Sequence, residues 1–566
     1  MTSPKKRSKI VEIVVLLVWG GLVYRLIGVQ IVRWRFYERE ASRLHFSRVE
    51  LLGERGKIYD RKGRLLTLNR STCSIRVLPQ WVRDKDTLAQ IFAEFGLGTY
   101  SENRRLLDEH KRLFWFRRRV DFALGDSLRS VLVRRRFRNA VLVENDYQRV
   151  YPYGEVCADV VGFVGAEGGL AGIEWEFERV LRGEPGWIMM QKDALGFAYP
   201  SPGYPRKEPK PGKDIHLTID ADMQEICYRV LEKGVIQTGA KQGSVVVLDA
   251  RTGAIRAMVD YPGYNPNKFS DFSKNLYKAI AVADQFEPGS SFKIVIGAAA
   301  LEDSHPERFT NRVYDVSSGY IEIGKKKIKD VHPNGVLSFD SVFINSSNPA
   351  CALMSFEIDP ELFYSVARRL GFGEKVGIGL PDEASGQLDS PRRLRSRLRL
   401  ATISFGQGVT VTLLQMAAAY LCIANDGLYL KPYLIEGLAN GFAGKKDGGG
   451  MAIRQALKRS TAKRMKDILE RVVTNGTGKL AAIPGVAVCG KTGTAQKVEP
   501  WGGYSNTRSL MSFVGFFPKD NPQFVIAVMI DEPKTVRFAA AAACPVFREI
   551  GERLMVLEQL DKVAER

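Results

Sequence analysis

Phe286-Glu287-Pro288-Gly289-Ser290-Ser291-Phe292-Lys293 is the stretch on which the fold turns. Ser290 and Lys293 are one helical turn apart, so the hydroxyl and the ammonium group can meet on one face. That spacing suits a nucleophile and its base. The run that follows, Ile294 to Leu301, is small and apolar, which predicts a helix buried all round with the serine at its N-terminal end. Glu287-Pro288-Gly289 makes the turn into it. Free backbone N–H groups and the positive end of the helix dipole then face the Ser290 region, where an oxyanion would be stabilised.

Two further clusters follow in order, Ser346-Ser347-Asn348 and Lys491-Thr492-Gly493. The chain carries its own controls for these short patterns. S-x-x-K recurs at Ser3 to Lys6, in a basic tail, and at Ser460 to Lys463, where Ser460 opens the amphipathic stretch Thr461 to Val473 and reads as a helix cap. S-x-N recurs at Ser101 and Ser273, both ahead of Ser290, whereas K-T-G occurs once. Only one combination keeps the order.

At 566 residues and 45% hydrophobic, the chain can support two or more globular domains. Lys5, Lys6, Arg7 and Lys9 precede Ile10 to Val32, an apolar stretch interrupted only by Glu12 and Arg25 and long enough to span a bilayer. No small-residue cleavage site follows, so the segment reads as an uncleaved signal anchor with its basic tail in the cytoplasm. The rest of the chain then lies outside. Net charge is +20, and residues 101–150 hold 13 Lys or Arg against 7 Asp or Glu, densest at Arg117 to Arg119 and Arg134 to Arg136. Arg392, Arg393, Arg395, Arg397 and Arg399 form a second cluster. An extracytoplasmic location excludes nucleic acid as partner and leaves anionic lipid head groups or anionic wall polymer.

Seven scattered cysteines, Cys73, Cys157, Cys227, Cys351, Cys422, Cys489 and Cys544, read as buried thiols rather than a disulfide framework. No histidine pair has ligand spacing, so no metal site is expected. Tyr199 to Lys213 holds five prolines and reads as a linker. Gly243 to Met258 reads as a β-hairpin turning at Asp249 to Gly253. Val486 to Gly490, Ser509 to Phe517 and Gln523 to Ile530 read as strands of an antiparallel sheet near the third cluster.

The trio S-x-x-K, S-x-N, K-T-G resembles that of penicillin-binding proteins and serine β-lactamases. Arg55 to Gly63 is similar to the R-G-x-I-x-D-R-x-G element that opens the pedestal of class B penicillin-binding proteins. Arg149 to Gly154, Gly172 to Glu178, Tyr261 to Asn267 and Ser404 to Gly408 resemble further landmarks of that family, and the likeness runs nearly the full length. Ser404 to Gly408 and Gly476 to Lys491 look more like the septal, FtsI type than the elongation type. Three segments depart from the pattern: Thr412-Leu413-Leu414-Gln415 lacks a helix-starting proline, Arg392 to Arg399 is unusually basic, and Ala539 to Ala543 is alanine-rich.

The resemblance implies an α+β fold: tail 1–9, transmembrane signal anchor 10–32, mixed α/β pedestal of dimerisation type 33–198, Pro-rich linker 199–213, and transpeptidase domain 214–566 with a central antiparallel sheet flanked by helices. It implies a membrane-anchored D,D-transpeptidase that cross-links peptidoglycan stem peptides ending in D-Ala-D-Ala and is a target of β-lactams. Ser290 would be the nucleophile, Lys293 its base and Ser346 the proton relay. Asn348, Lys491, Thr492, Gly493 and Thr494 would bind substrate, and the backbone N–H groups of Ser290 and Thr494 would form the oxyanion hole. No cofactor is implied. Expected partners are the cytoplasmic membrane, a polytopic SEDS-type glycan polymerase of the FtsW kind and other division proteins. Rival readings are an elongation-type transpeptidase, a non-catalytic β-lactam-binding or division scaffold, and a β-lactamase or carboxypeptidase that activates water. Glu436 to Asn440 superficially copies a β-lactamase deacylation pattern but lies far beyond Ser346.

Overall fold

The computed structural model describes residues 4–38, 46–51, 53–137, 139–166, 168–192, 198–200, 205–438, 452–499 and 501–559. Residues 1–3 of the expected tail, 201–204 of the expected linker and Asn440 lie outside them. The chain forms two compact units, each assembled from separated stretches. Met1–Arg55, Asn69–Gln148 and Arg182–Gly212 make one; Gly56–Leu68, Arg149–Leu181 and Lys213–Arg566 make the other. The segment expected as pedestal, 33–198, therefore supplies residues to both units.

In the first unit, a helix over Pro4–Ile27 continues as a π-helical turn over Gly28–Val32. Ser8–Val32 has a mean hydropathy of 2.2 and none of its most apolar window is buried, so it is long and apolar enough to cross a membrane. A three-stranded sheet places Leu68–Val77 between Phe114–Asp121 and Val141–Val150. Ile75, Val77, Leu88, Phe92, Phe116 and Leu128 form its core with the helices Lys85–Glu94 and Phe122–Arg134. The proline-rich stretch expected as linker carries two short strands, Ala198–Pro200 and Arg206–Lys207, both paired with Gly186–Lys192. Short strands at a sheet edge tolerate proline because an outward-facing N–H is not needed there.

The second unit is built on a five-stranded antiparallel sheet of β1 (Gln242–Asp249), β2 (Ile255–Tyr261), β3 (Cys489–Val498), β4 (Tyr504–Phe517) and β5 (Phe524–Asp531), in spatial order β2-β1-β5-β4-β3. Every residue of β5 is buried, which explains its apolar run from Phe524 to Ile530: both faces are covered. The helices that position the site are α1 (Ala221–Thr238), α2 (Lys293–Glu302), α3 (Asn348–Ser355), α4 (Leu413–Ala424), α5 (Arg459–Thr474) and α6 (Ala539–Leu557). α1 and α6 pack on each other and on the sheet, and α4 packs on its inner strands β1, β5 and β4. All twelve residues of α4 are buried. Its start needs no proline, since Thr412 and Gln415 make a reciprocal capping box.

The hairpin expected at Gly243 to Met258 is β1–β2. The strand expected at Val486 to Gly490 begins three residues later, because Val486 bridges only to Ile483. The K-T-G residues therefore lie inside β3. Ser460 sits within the first turn of α5, whose cap position is Lys458, so the expected serine cap is not formed. All seven cysteines are buried and unpaired.

Gly56–Leu68 joins this unit through a short parallel pairing of Ile58–Tyr59 with Ile215–Leu217 and through an ion cluster. Asp220 is fully buried and is met by Arg61 at 2.7 Å, Arg64 at 2.9 Å and Lys62 at 3.0 Å. Against the cost of burial, hydrogen bonds and charge from Arg61 and Lys62 hold the Asp220 carboxyl at about 2. Asp220→Asn is expected to destabilise the protein by about 2–3 kcal/mol, less than the ~3–5 of a fully buried pair because the three cations are partly exposed. Because the folded-state value is depressed, this contribution is full above the unfolded value of 3.8 and is lost as pH falls through about 2. Chemical denaturation of both proteins at pH 7 and pH 3 checks this: their stability difference should shrink at the lower pH.

Candidate active site

The opening stretch forms a 3-10 turn over Gly289–Phe292 that runs directly into α2. Gly289 is left-handed, φ 54°, and its N–H donates to the Gly406 carbonyl at 3.2 Å. A Cβ on Gly406 would lie 2.2 Å from the Gly289 carbonyl oxygen, so Ser404 to Gly408 backs the serine turn and only glycine fits there. The Ser291 hydroxyl donates to the Pro288 carbonyl at 2.8 Å, and the buried Tyr420 hydroxyl on α4 donates to the Ser291 carbonyl at 2.9 Å. Ser290 is left half-buried at the head of the helix, and its hydroxyl makes no hydrogen bond to a described residue.

Lys293 is 1% exposed, and its ammonium donates to the Ser346 carbonyl at 2.6 Å and to Ser346 Oγ at 3.2 Å. Lys491 is also 1% exposed, and its ammonium donates to the same Oγ at 2.9 Å. One hydroxyl thus joins both lysines. Lys491 also reaches Thr492 Oγ1 at 3.4 Å and Thr477 Oγ1 at 3.5 Å, and the two threonine hydroxyls meet at 2.9 Å. Burial pushes the Lys293 ammonium below the usual lysine range, opposed by Cys351 and Asp330. Burial pushes Lys491 well down, and the adjacent Lys293 adds to the effect. A lysine that loses its proton readily is what a general base requires.

β3 is the edge strand of the sheet, so alternate peptide groups along it face away from β4. Its approach to the serine turn is made by glycines. A Cβ on Gly289 would lie 2.7 Å from the Thr494 carbonyl oxygen, and one on Gly493 would lie 2.6 Å from the Pro288 carbonyl oxygen and 2.9 Å from Ser291 Oγ. Thr494 is exposed on this edge. Asn348 opens α3, and its buried Oδ1 has no hydrogen-bond partner among the described residues. Lys293, Ser346, Lys491 and Thr492 are therefore joined by hydrogen bonds, and Gly493 and Thr494 lie against the turn that carries Ser290. Gly493→Ala would push the strand off this turn. It is expected to lower the second-order rate of acylation by a fluorescent penicillin about 10²-fold, the scale of a displacement near 1 Å.

Further residues around the site receive no role from the sequence reading. Thr477 is signalled only by the glycines on either side of it. Glu287 accepts from the Gly408 N–H at 2.8 Å and from the Tyr504 hydroxyl at 3.3 Å, and burial raises its carboxyl above the usual range. Lys326, Arg399, Gln407 and Tyr504 line an adjoining cavity of about 270 Å³. Part of the Arg392 to Arg399 cluster is structural: Arg393 and Arg399 both pair with Asp389, and Arg397 lies 4.1 Å from the Phe356 ring.

A serine at the head of a buried helix, with a second serine shared by two buried lysines beside an antiparallel edge strand, defines a serine acyltransferase class of site. Family comparison points the same way. Residues 243–552 match the penicillin-binding protein transpeptidase domain, and residues 50–217 match the penicillin-binding protein dimerisation domain. The chain is 32% identical over 568 residues to the probable peptidoglycan D,D-transpeptidase PenA of Neisseria meningitidis, covering 98% of this chain and 94% of that one. It is 34% identical over 446 residues to the peptidoglycan D,D-transpeptidase FtsI homolog of Mesostigma viride, covering 73% of each. It resembles the crystal structure of penicillin-binding protein 3 from Mycobacterium tuberculosis complexed with aztreonam, with TM-score 0.68, 27% identity, and coverage of 90% of this chain and 97% of that one. The chain belongs to the class B penicillin-binding proteins.

Proposed function

We propose that this protein is a peptidoglycan D,D-transpeptidase working through an acyl-enzyme on Ser290, and that β-lactams acylate the same hydroxyl. Ser290 Oγ attacks the carbonyl between the two terminal D-alanines while its proton passes to Lys293. The N–H groups of Ser290 and Thr494 hold the oxyanion, a contact worth about 2.7–4 kcal/mol per donor. Ser346 hands a proton to the departing D-alanine amine. Asn348 holds the peptide amide, and Lys491 with Thr492 and Thr494 binds the terminal carboxylate. An amine of a neighbouring stem peptide then attacks the ester, closing the cross-link and freeing Ser290.

The observation that carries this reading is Ser346 Oγ bonded to both buried lysines, 3.2 Å from one and 2.9 Å from the other. A proton can pass between base and leaving group along that chain. Intact-mass measurement after penicillin treatment tests it: an adduct of one β-lactam persisting for many minutes is expected. Release within seconds would indicate a β-lactamase, and no adduct would leave the scaffold reading.

The Ser8–Val32 helix would anchor the protein in the cytoplasmic membrane, its basic tail inside and its catalytic unit outside. Kinship with a relative named FtsI homolog favours the septal role, with an FtsW-like polymerase and division proteins as partners. A fluorescent fusion at midcell is expected; a purely lateral distribution would give the elongation role.

A further inference from the structure

Ser346 stands in a left-handed backbone conformation, φ 60°, although it is not glycine. Such a residue persists only where its surroundings over-determine it. From the preceding side, the turn is fastened by the N–H groups of Ser346 and Ser347, which donate to the carbonyls of Phe343 at 3.2 Å and Val342 at 3.0 Å. From the following side, Lys293 donates to the Ser346 carbonyl at 2.6 Å and the Asp330 side chain holds the next two residues. One carboxylate oxygen of Asp330 accepts from the Asn348 N–H at 2.7 Å, and the other accepts from the Ser347 hydroxyl at 2.7 Å. The Ser347 oxygen meanwhile accepts from the Ala350 N–H at 3.2 Å and so caps α3. Asp330 therefore lies at the positive end of α3, where a negative charge is favoured.

Asp330 is itself held. Its N–H donates to the Gly319 carbonyl at 3.0 Å, and the Asn334 amide donates to its side chain at 2.8 Å. Among the described residues no lysine or arginine is ion-paired with it. Its carboxylate raises the pKa of Lys293, against the effect of burial. The groups facing Lys293 are Asp330 from this loop, Ser346 and Cys351 on and beside α3, and Lys491 from β3.

We propose that Asp330 is a positioning residue for the reaction: it clamps the left-handed turn at Ser346, through Ser347 and the backbone of Asn348, and so keeps Ser346 Oγ between Lys293 and Lys491. This rests on the assignment of Ser290, Lys293 and Ser346 above. Without the clamp, Ser346 and Asn348 move together, since both hang from the same turn. Removing the carboxylate also removes a charge that favours protonated Lys293, so the base becomes free at lower pH.

Full-length Asp330→Asn and Asp330→Ala are to be compared with the parent by the second-order rate of acylation with a fluorescent penicillin from pH 5 to 10, alongside Tm. Asp330→Ala is expected to lower the plateau by about 10²-fold, the scale of a 1 Å misplacement. Asp330→Asn keeps an acceptor for the Asn348 N–H and should recover about a tenth of the parent rate or more. In both, the acid limb should move to lower pH, a shift that a purely structural support would not produce. Should Asp330→Ala fail to fold, the plateau and acid limb of Asp330→Asn carry the test. Parent-like plateau and limb overturn the proposal. So does a plateau lowered only in proportion to the folded fraction, with the limb unmoved. Ser290→Ala run in parallel separates the two ideas: label surviving in it sinks the mechanism itself, whereas its loss beside unaffected Asp330 variants sinks only the role of Asp330.

Discussion

Ser290→Ala takes up no fluorescent penicillin on a denaturing gel, and its Tm stays close to that of the parent. Removal of a serine nucleophile costs about 10⁶-fold in a comparable acyl-transfer enzyme, which places labelling below detection. The stability side follows from the geometry. The Ser290 hydroxyl is half-buried and makes no hydrogen bond to a described residue, so its loss strands no partner and should stay within about 0.5 kcal/mol. Ser291 is not a substitute nucleophile, because its hydroxyl is fully buried and already donates to the Pro288 carbonyl at 2.8 Å. Label that persists in Ser290→Ala and disappears in Ser291→Ala would reverse that assignment.

Lys293→Met lowers the acylation rate by about 10²–10⁴-fold, the usual contribution of a positioned base. Its effect on stability runs with pH in a defined direction. Burial depresses the folded-state value of Lys293 below 10.5, so between the two values the unfolded chain binds more protons than the folded one. Parent stability from this group therefore rises with pH across that window. Methionine carries no such dependence. The difference in Tm, methionine minus lysine, should thus become more positive as pH falls from 10.5 toward the depressed value. A difference that is flat over pH 7–10 would mean that Lys293 is as easily protonated in the folded protein as in the unfolded chain. The paired outcome, a slower enzyme that gains stability at lower pH, is the trade expected where a buried cation is kept for chemistry.

Much of this was readable along the chain because it is local. Ser290 and Lys293 are three residues apart, the apolar run behind them makes a buried helix, and the central-sheet strand β5 is apolar from Phe524 to Ile530. The same locality explains the near misses. Ser460 has the residue type of a cap but falls inside the first turn of α5, since the helix begins at Arg459. The absent proline before α4 is made up by the Thr412 and Gln415 side chains, a pairing that needs only three residues and was legible in principle. Asp330 offered no such signal. It precedes Ser346 by sixteen positions, in the connection between the strands Lys326–Lys329 and Gly335–Ser338, with no motif, and matters only because that connection folds back on the turn.

By itself the amino-acid order singled out the candidate residues for the chemistry and predicted a buried helix behind Ser290, strands of an antiparallel sheet near Lys491 and an apolar N-terminal segment, because spacing and periodicity act over a few residues. Tertiary structure alone decided that Ser346 Oγ is shared by two lysines, that Gly289, Gly406 and Gly493 let three segments touch, and that Gly56–Leu68 and Arg149–Leu181 pack with the catalytic stretch. Those outcomes depend on which distant segments exclude water together, and desolvation of a lysine is a property of everything packed around it rather than of its neighbours in sequence.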